Sequence, residues 1–253
     1  MEQLPYKIIH DSILCEEDIV LIDTHQERQY PLSILNLIDK SWDEVNSNKD
    51  IFIFNGKVSC LDSWEITDNK LIVNYCESDY KSYFGTNIKN LTEINNNNLL
   101  ANTLAVCTVV VTSDNKIIIG KRGTHLAEGT ALWHVPGGTL EYYPERANHP
   151  FEVMKRELHE ELNLTTISSM HYLGFGINLV FNKPEFLLYT KTNLTSTEIK
   201  TNMINATDYN EHSEIRFIDV SDITSFIDTH NFTEIGRAVV TLYLKYKEKL
   251  NDK

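Results

Sequence analysis

Gly137-Gly138-Thr139-Leu140-Glu141 and, after a loop, Arg156-Glu157-Leu158-His159-Glu160-Glu161-Leu162-Asn163-Leu164 form the stretch on which the reading of this 253-residue chain turns. Phe151, Met154, Leu158 and Leu162 recur at a spacing that predicts an amphipathic α-helix over about 151–162. Each helical residue advances by roughly 100°. Seen from Glu157, Glu161 then lies roughly 40° to one side and Glu160 roughly 60° to the other. Three carboxylates therefore share one narrow face beside the apolar one. Like charges at these spacings disfavour a helix by about 0.2–0.5 kcal/mol per pair, so helix stability does not explain the pattern. A hard divalent cation does, since Mg2+ takes carboxylate oxygens and keeps waters for chemistry. Arg156, beside Glu160 on the same wheel, can hold a carboxylate in its ligating orientation. An acidic helix face is ordinarily just solvated, and Arg156-Glu157 or Glu160-Glu161 alone would carry no weight. Together, behind Trp133-His134-Val135-Pro136 and the double glycine, they point to a metal site. Asn163 falls where the helix should end on a left-handed residue, a conformation asparagine tolerates.

Outward from this stretch, Leu104 to Val111 reads as a buried strand by its β-branched content, Asp114-Asn115 as a turn and Lys116 to Ile119 as the returning strand. Further strands are expected near Tyr172–Phe181, Phe186–Thr190 and Ile215–Ile218. A closing helix is expected from about Thr233 to Leu250, with Ile235, Val239, Leu242 and Tyr246 at helical spacing. The first hundred residues read as a strand-rich unit. A hairpin is expected at Asn55-Gly56, between Ile51–Phe54 and Lys57–Leu61, and a second around Asp68-Asn69 leading into Leu71-Ile72-Val73, with a short helix from Ile34 to Val45. The polar break Glu93–Asn98 is taken as a boundary between residues 1–98 and residues 99–253. The expected class is α+β.

Composition is that of a globular protein, with 42% hydrophobic and 23% charged residues. A net charge of -13 disfavours nucleic acid as a partner. A small anionic substrate is still compatible with it if bound cations reverse the local field. No apolar run approaches a membrane span, and the start Met1-Glu2-Gln3-Leu4-Pro5-Tyr6 lacks the features of a signal peptide, so a cytoplasmic protein is expected. Cys15, Cys60, Cys76 and Cys107 are scattered without a CxxC pair, which reads as reduced apolar fillers. The oligomeric state is left open.

The segment Leu132–Gly138 with Arg156-Glu157-Leu158-His159-Glu160-Glu161 resembles the Nudix box of pyrophosphohydrolases that act on nucleoside diphosphates linked to another group. That resemblance implies a Nudix α/β/α sandwich with a mixed sheet, preceded here by a smaller strand-rich N-terminal domain. It also implies Glu157, Glu160 and Glu161 as ligands of Mg2+ or Mn2+, with the Gly138 backbone close to the metals and Arg156 in support. Three departures stand out. The loop between Glu141 and Arg156 is about four residues longer than in the usual box, and the Gly-Glu that normally follows is absent, with Glu145 or Glu152 as replacements. Asn163 takes the place of the box's last glycine. Ser78–Asn87 followed by Leu104-Ala105-Val106, with the stretched box, resembles the animal branch of the family that hydrolyses UDP-glucose and UDP-galactose to UMP and sugar 1-phosphate. On that resemblance Tyr83, Gly85, Thr86 and Asn87 are candidate substrate contacts. ADP-ribose is the second substrate, because the proline that usually follows the box in ADP-ribose hydrolases is missing near Val180. A catalytically silent nucleotide sensor is the reading from another class. For the general base, Glu211 and Glu214 in the acidic loop Asp208–Glu214 are candidates. Arg122, just past the Lys116–Ile119 strand, is a candidate phosphate contact.

Overall fold

The computed structural model describes residues 5–51, 53–94, 96–144 and 149–251. In chain order the elements are β1 (Tyr6–Leu14), β2 (Ile19–Glu27), α1 (Leu32–Asn46), β3 (Lys57–Thr67), β4 (Lys70–Asp79) and α2 (Tyr80–Tyr83), which runs into a π-turn over Phe84–Lys89. Then come β5 (Ala105–Val111), β6 (Lys116–Arg122), β7 (Trp133–His134), β8 (Gly137–Thr139) and α3 (Pro150–Leu162). They are followed by β9 (Ser169–Asn178), β10 (Lys183–Lys191), α4 (Ser196–Asn202), β11 (His212–Asp219), α5 (Ile223–Thr229) and α6 (Glu234–Asn251).

Among the described residues, β1-β9-β10-β5-β6-β11 run side by side, and β7 and β8 complete an eight-stranded sheet by pairing with β6 and β5. The β10–β5 pair is parallel and its other pairings are antiparallel, which makes the sheet mixed. β5 is buried at every position because both faces of the sheet are covered. On one face Val106 and Val110 meet Phe151, Met154, Leu158 and Leu162 of α3. On the other, Val109, Ile117 and Leu187 meet Ile235, Val239 and Leu242 of α6. The result is an α/β/α sandwich of the α+β class.

A second sheet, β2-β4-β3, forms the extra strand-rich N-terminal region. Leu71 and Val73 of β4 share the core of α3, so the small sheet packs on that helix's side of the molecule. Isolated bridges from Val58 to Glu141 and from Cys60 to Thr103 tie it to the larger sheet. The first strand does not stay with it: β1, although drawn from the segment assigned to the N-terminal unit, pairs along β9 at the edge of the large sheet.

The turn at Asp68-Asn69 forms as expected, with both residues at positive φ (51° and 61°). The hairpin expected at Asn55-Gly56 does not. Among the described residues of 51–56 none lies in a strand, and β3 begins only at Lys57. Asn55 instead ties the start of β3 to β4 and α2, donating to Asp79 at 3.0 Å and accepting from the Lys81 amide at 2.8 Å. Ile53 and Phe54 are apolar because they wall a cavity, not because they belong to a sheet. The four cysteines are free thiols.

The α3 helix ends as its sequence dictates. Asn163 takes φ 50°, ψ 37°, and its amide donates to the carbonyls of Leu158 and His159. Its side chain also reaches the Asn202 carbonyl at 3.1 Å. Replacing Asn163 with valine should therefore cost about 1–2 kcal/mol in chemical denaturation, while Asn163→Gly should lose less. Equal losses would contradict this account of the helix end.

Candidate functional site

A cavity of about 440 Å3 opens where α3, the β8 strand, the N-terminus of α6 and the 51–58 segment meet, a size suited to a nucleotide-scale ligand. Glu157 faces into it. β8 crosses in front of α3, and a Cβ on Gly138 would overlap the Glu157 carboxyl, so only glycine lets the backbone approach that carboxylate.

The three helix carboxylates have different surroundings. Glu157 is largely buried, and burial, reinforced by the charge of Glu161, pushes its carboxyl up to about 8. Glu160 is more open, and burial raises it against the lowering pull of Arg156. Glu161 is buried and accepts from His212 Nε2 through Oε2 at 3.1 Å, leaving its other oxygen for a further partner. Arg156 lies 3.3 Å from Glu141, 3.4 Å from Glu157 and 3.7 Å from Glu160, which is the carboxylate-holding position expected for it.

Among the described residues, no three His, Cys, Asp or Glu side chains stand as a ready metal cage. The donor set nonetheless fits a hard divalent cation. It consists of carboxylate oxygens on one helix face, with a buried carboxyl held up by its neighbour's charge and a glycine backbone pressed against it. Glu157, Glu160 and Glu161 would hold the ion.

The loop before β11 is fastened to the end of α3, since the Asp208 amide donates to the Glu160 carbonyl at 2.9 Å. This places Glu211 in the cavity, where burial and then the Glu161 charge raise its carboxyl against Arg122 and His212. Glu214 is elsewhere. It lies on β11, half exposed, paired with Arg216 at 2.6 Å, and does not line the cavity. Arg122 lines the cavity, its Nε donating to the Glu128 carbonyl at 3.1 Å. Of the two replacements for the missing carboxylate, Glu145 lies outside the described residues. Glu152 pairs with Lys155 at 2.5 Å and does not line the cavity.

The expected substrate contacts at 83–87 have a different role. Gly85, Thr86 and Asn87 are buried under α1 and do not line the cavity. A Cβ on Gly85 would come within 2.7 Å of the Ile38 backbone. Asn87 accepts from the Ala101 amide at 3.0 Å and donates to the Phe181 carbonyl at 2.9 Å, holding two chain segments together. Tyr83 is fully buried and donates to Glu128 at 3.1 Å.

Sequence reasoning missed the partly buried Glu128 and the buried Lys183 and Glu185, which line the cavity. Lys183 and Glu185 had a signal: two charged residues at the head of an otherwise apolar strand. His134 was quoted only as part of the motif. It also lines the cavity, with Nδ1 2.5 Å from Thr233 Oγ1, and burial holds it well below the usual range.

A family model described as NUDIX domain matches residues 101–239, more than half of the chain. No curated protein matches. Among solved structures, the NUDIX domain of Shewanella oneidensis NrtR complexed with ADP ribose is 14% identical, covering 65% of this chain and 99% of that one with a TM-score of 0.45. The MutT protein from Methanosarcina mazei Go1 is 15% identical, covering 60% and 96% with a TM-score of 0.39. A bifunctional NMN adenylyltransferase/ADP ribose pyrophosphatase from Francisella tularensis, complexed with AMP and Mn ion, is 19% identical, covering 57% and 41% with a TM-score of 0.40.

If the acidic face holds a cation, Mg2+ at about 100 times its Kd should add about 2.7 kcal/mol of stability, read as a rise in Tm. Glu157→Gln should lose most of that rise. An equal rise in both proteins would place the ion elsewhere.

Proposed function

The chain belongs to the Nudix family, and on that premise we propose that it is a divalent-metal-dependent pyrophosphohydrolase of nucleoside-diphosphate-linked compounds, with UDP-glucose and UDP-galactose as its leading substrates. One observation carries the reading: Glu157, Glu211 and Arg122 face a single nucleotide-sized cavity, with Glu160 and Glu161 on the same helix beside it. Nudix hydrolases work with Mg2+ or Mn2+. When bound, such an ion neutralises diphosphate charge and lowers the pKa of a coordinated water. The narrower choice of UDP-sugars rests on the sequence resemblance of Ser78–Asn87 and of the lengthened loop before Arg156, not on contact of residues 83–87 with the cavity. ADP-ribose, which also joins a diphosphate to a sugar, is the competing substrate.

In this proposal the chain's own residues have separate tasks. Glu157, Glu160 and Glu161 hold the ion, and Arg156 keeps two of these carboxylates, Glu157 and Glu160, in place. Gly138 lets the β8 backbone lie against the Glu157 carboxylate, close to the ion. Arg122 pairs with phosphate oxygens as the diphosphate enters. Glu211 takes the proton from the attacking water at its carboxylate, which burial makes more basic than usual. Water adds to phosphorus as the anhydride bridge breaks, so a UDP-hexose gives UMP and sugar 1-phosphate.

The boundary after residue 98 enters the proposal as a division of labour. The region outside the family match supplies Ile53, Phe54, Lys57, Val58 and Tyr80 to the cavity wall, where they contact the part of the substrate beyond the diphosphate. No helix among the described residues is long and apolar enough to cross a membrane.

Turnover should be measured on UDP-glucose, UDP-galactose, ADP-ribose and dinucleoside polyphosphates with Mg2+. Hydrolysis of ADP-ribose with UDP-sugars untouched contradicts the narrower choice, and nucleotide binding without any hydrolysis makes the protein a sensor. Glu160→Gln should lower kcat about 100-fold or more while leaving the thermal transition in place. Phe54 is 64% exposed at the cavity rim, so Phe54→Ala should leave folding intact. It should raise KM about three- to tenfold with little effect on kcat. An unchanged KM removes the N-terminal wall from substrate contact.

A further inference from the structure

The charges at the β10 end of the cavity are not used by the chemistry above. Lys183 and Glu185 are two apart on β10, so both side chains point to the same face of the sheet. They are 7% and 5% exposed, and both line the cavity. Lys183 is committed. Its Nζ lies 3.2 Å from each Glu128 oxygen and 5.2 Å from the centre of the Tyr83 ring. Asn178 is largely committed as well: its Oδ1 accepts from the Val180 amide at 3.1 Å, which turns its amide nitrogen toward Glu185, to which it donates.

Glu185 is less fully occupied. Its partners across the sheet are Gly176 on β9 and Ala105 on β5. Directly opposite it the neighbouring strands therefore carry only a hydrogen and a methyl group, and the cavity opens beside them. Burial pushes its carboxyl up to about 7, against the lowering pull of Lys183. A buried carboxylate facing a hollow, with one amide donor, needs further hydrogen-bond donors from whatever fills that hollow. Phosphate cannot serve, since it is itself an acceptor and an anion. Two adjacent hydroxyls can, each donating to one carboxylate oxygen. Arg122 also lines the cavity, and its charge acts on Glu211 as well as on Glu128 and Glu185.

We propose that Glu185 is a specificity-determining residue that accepts hydrogen bonds from the vicinal hydroxyls of the sugar attached to the far side of the diphosphate, with Asn178 orienting its carboxylate. The proposal rests on the reading that the diphosphate lies between Glu157 and Arg122. It does not depend on which nucleotide is bound, because UDP-hexoses and ADP-ribose both end in such a diol.

The test compares wild type and Glu185→Gln on UDP-glucose, on ADP-ribose and on the methyl ester of UDP, which keeps the nucleoside ribose but lacks the terminal sugar. Loss of a charge-assisted acceptor should raise KM about tenfold on the two sugar-terminated substrates, with kcat little changed and the methyl ester unaffected. Equal weakening on all three overturns the proposal, because Glu185 then serves the nucleoside or the fold. No weakening on any also overturns it. Ala105→Val narrows the hollow without touching the charges, and should discriminate against the sugar-terminated substrates in the same way; no discrimination counts against the proposal. If wild type hydrolyses none of the three compounds, the function proposed above fails, and the same comparison is read as calorimetric Kd in metal-free buffer. A selective tenfold weakening there still supports Glu185, and its absence overturns the proposal.

Discussion

Three carboxylates on little more than one turn of helix, one of them pressed against a glycine backbone, cannot all be comfortable without positive charge. Arg156 supplies part of that charge, reaching Glu141, Glu157 and Glu160 together. His212 steadies Glu161 from β11. Arg156 relieves Glu157 only in part, and that carboxyl stays raised by burial and by the charge of Glu161. Much of the surrounding structure serves this arrangement. The α3 core anchors the helix, Asn163 ends it, and the 208–211 loop bonds to its last turn and brings Glu211 into the same cavity.

The N-terminal region acts on the site in two ways. Its small sheet thickens the core on the α3 side through Leu71 and Val73. Ile53, Phe54 and Gly56, just ahead of β3, wall the cavity, with Asn55 pinned to Asp79 and Lys81. The Tyr80–Lys89 segment works from behind that wall. Tyr83 secures Glu128, which in turn holds Lys183, so a residue expected to touch substrate instead fixes a charge that lines the cavity.

The acidic face was legible because helical periodicity is local: the positions of Glu157, Glu160, Glu161 and the cap at Asn163 follow from spacing within one turn or two. The turn at Asp68-Asn69 was legible for the same reason. Asn55-Gly56 misled because a turn dipeptide next to apolar residues also arises where apolar residues line a cavity. The place of β1 beside β9 depends on a pairing across more than 160 residues, which no local pattern encodes. Lys183 and Glu185 could have been noticed as charges heading an apolar strand. Their role depends on Gly176 and Ala105 being their neighbours, and only the register of three strands reveals that.

The account stands on a divalent cation seated by the acidic face of α3. Crystals soaked in Mn2+ and measured at a wavelength where manganese scatters anomalously test it most directly. The predicted result is an anomalous peak in contact with carboxylate oxygens of Glu157 and Glu160, beside the Gly138 backbone. A map with no peak there at saturating Mn2+, or with the ion bound only at another part of the surface, contradicts it.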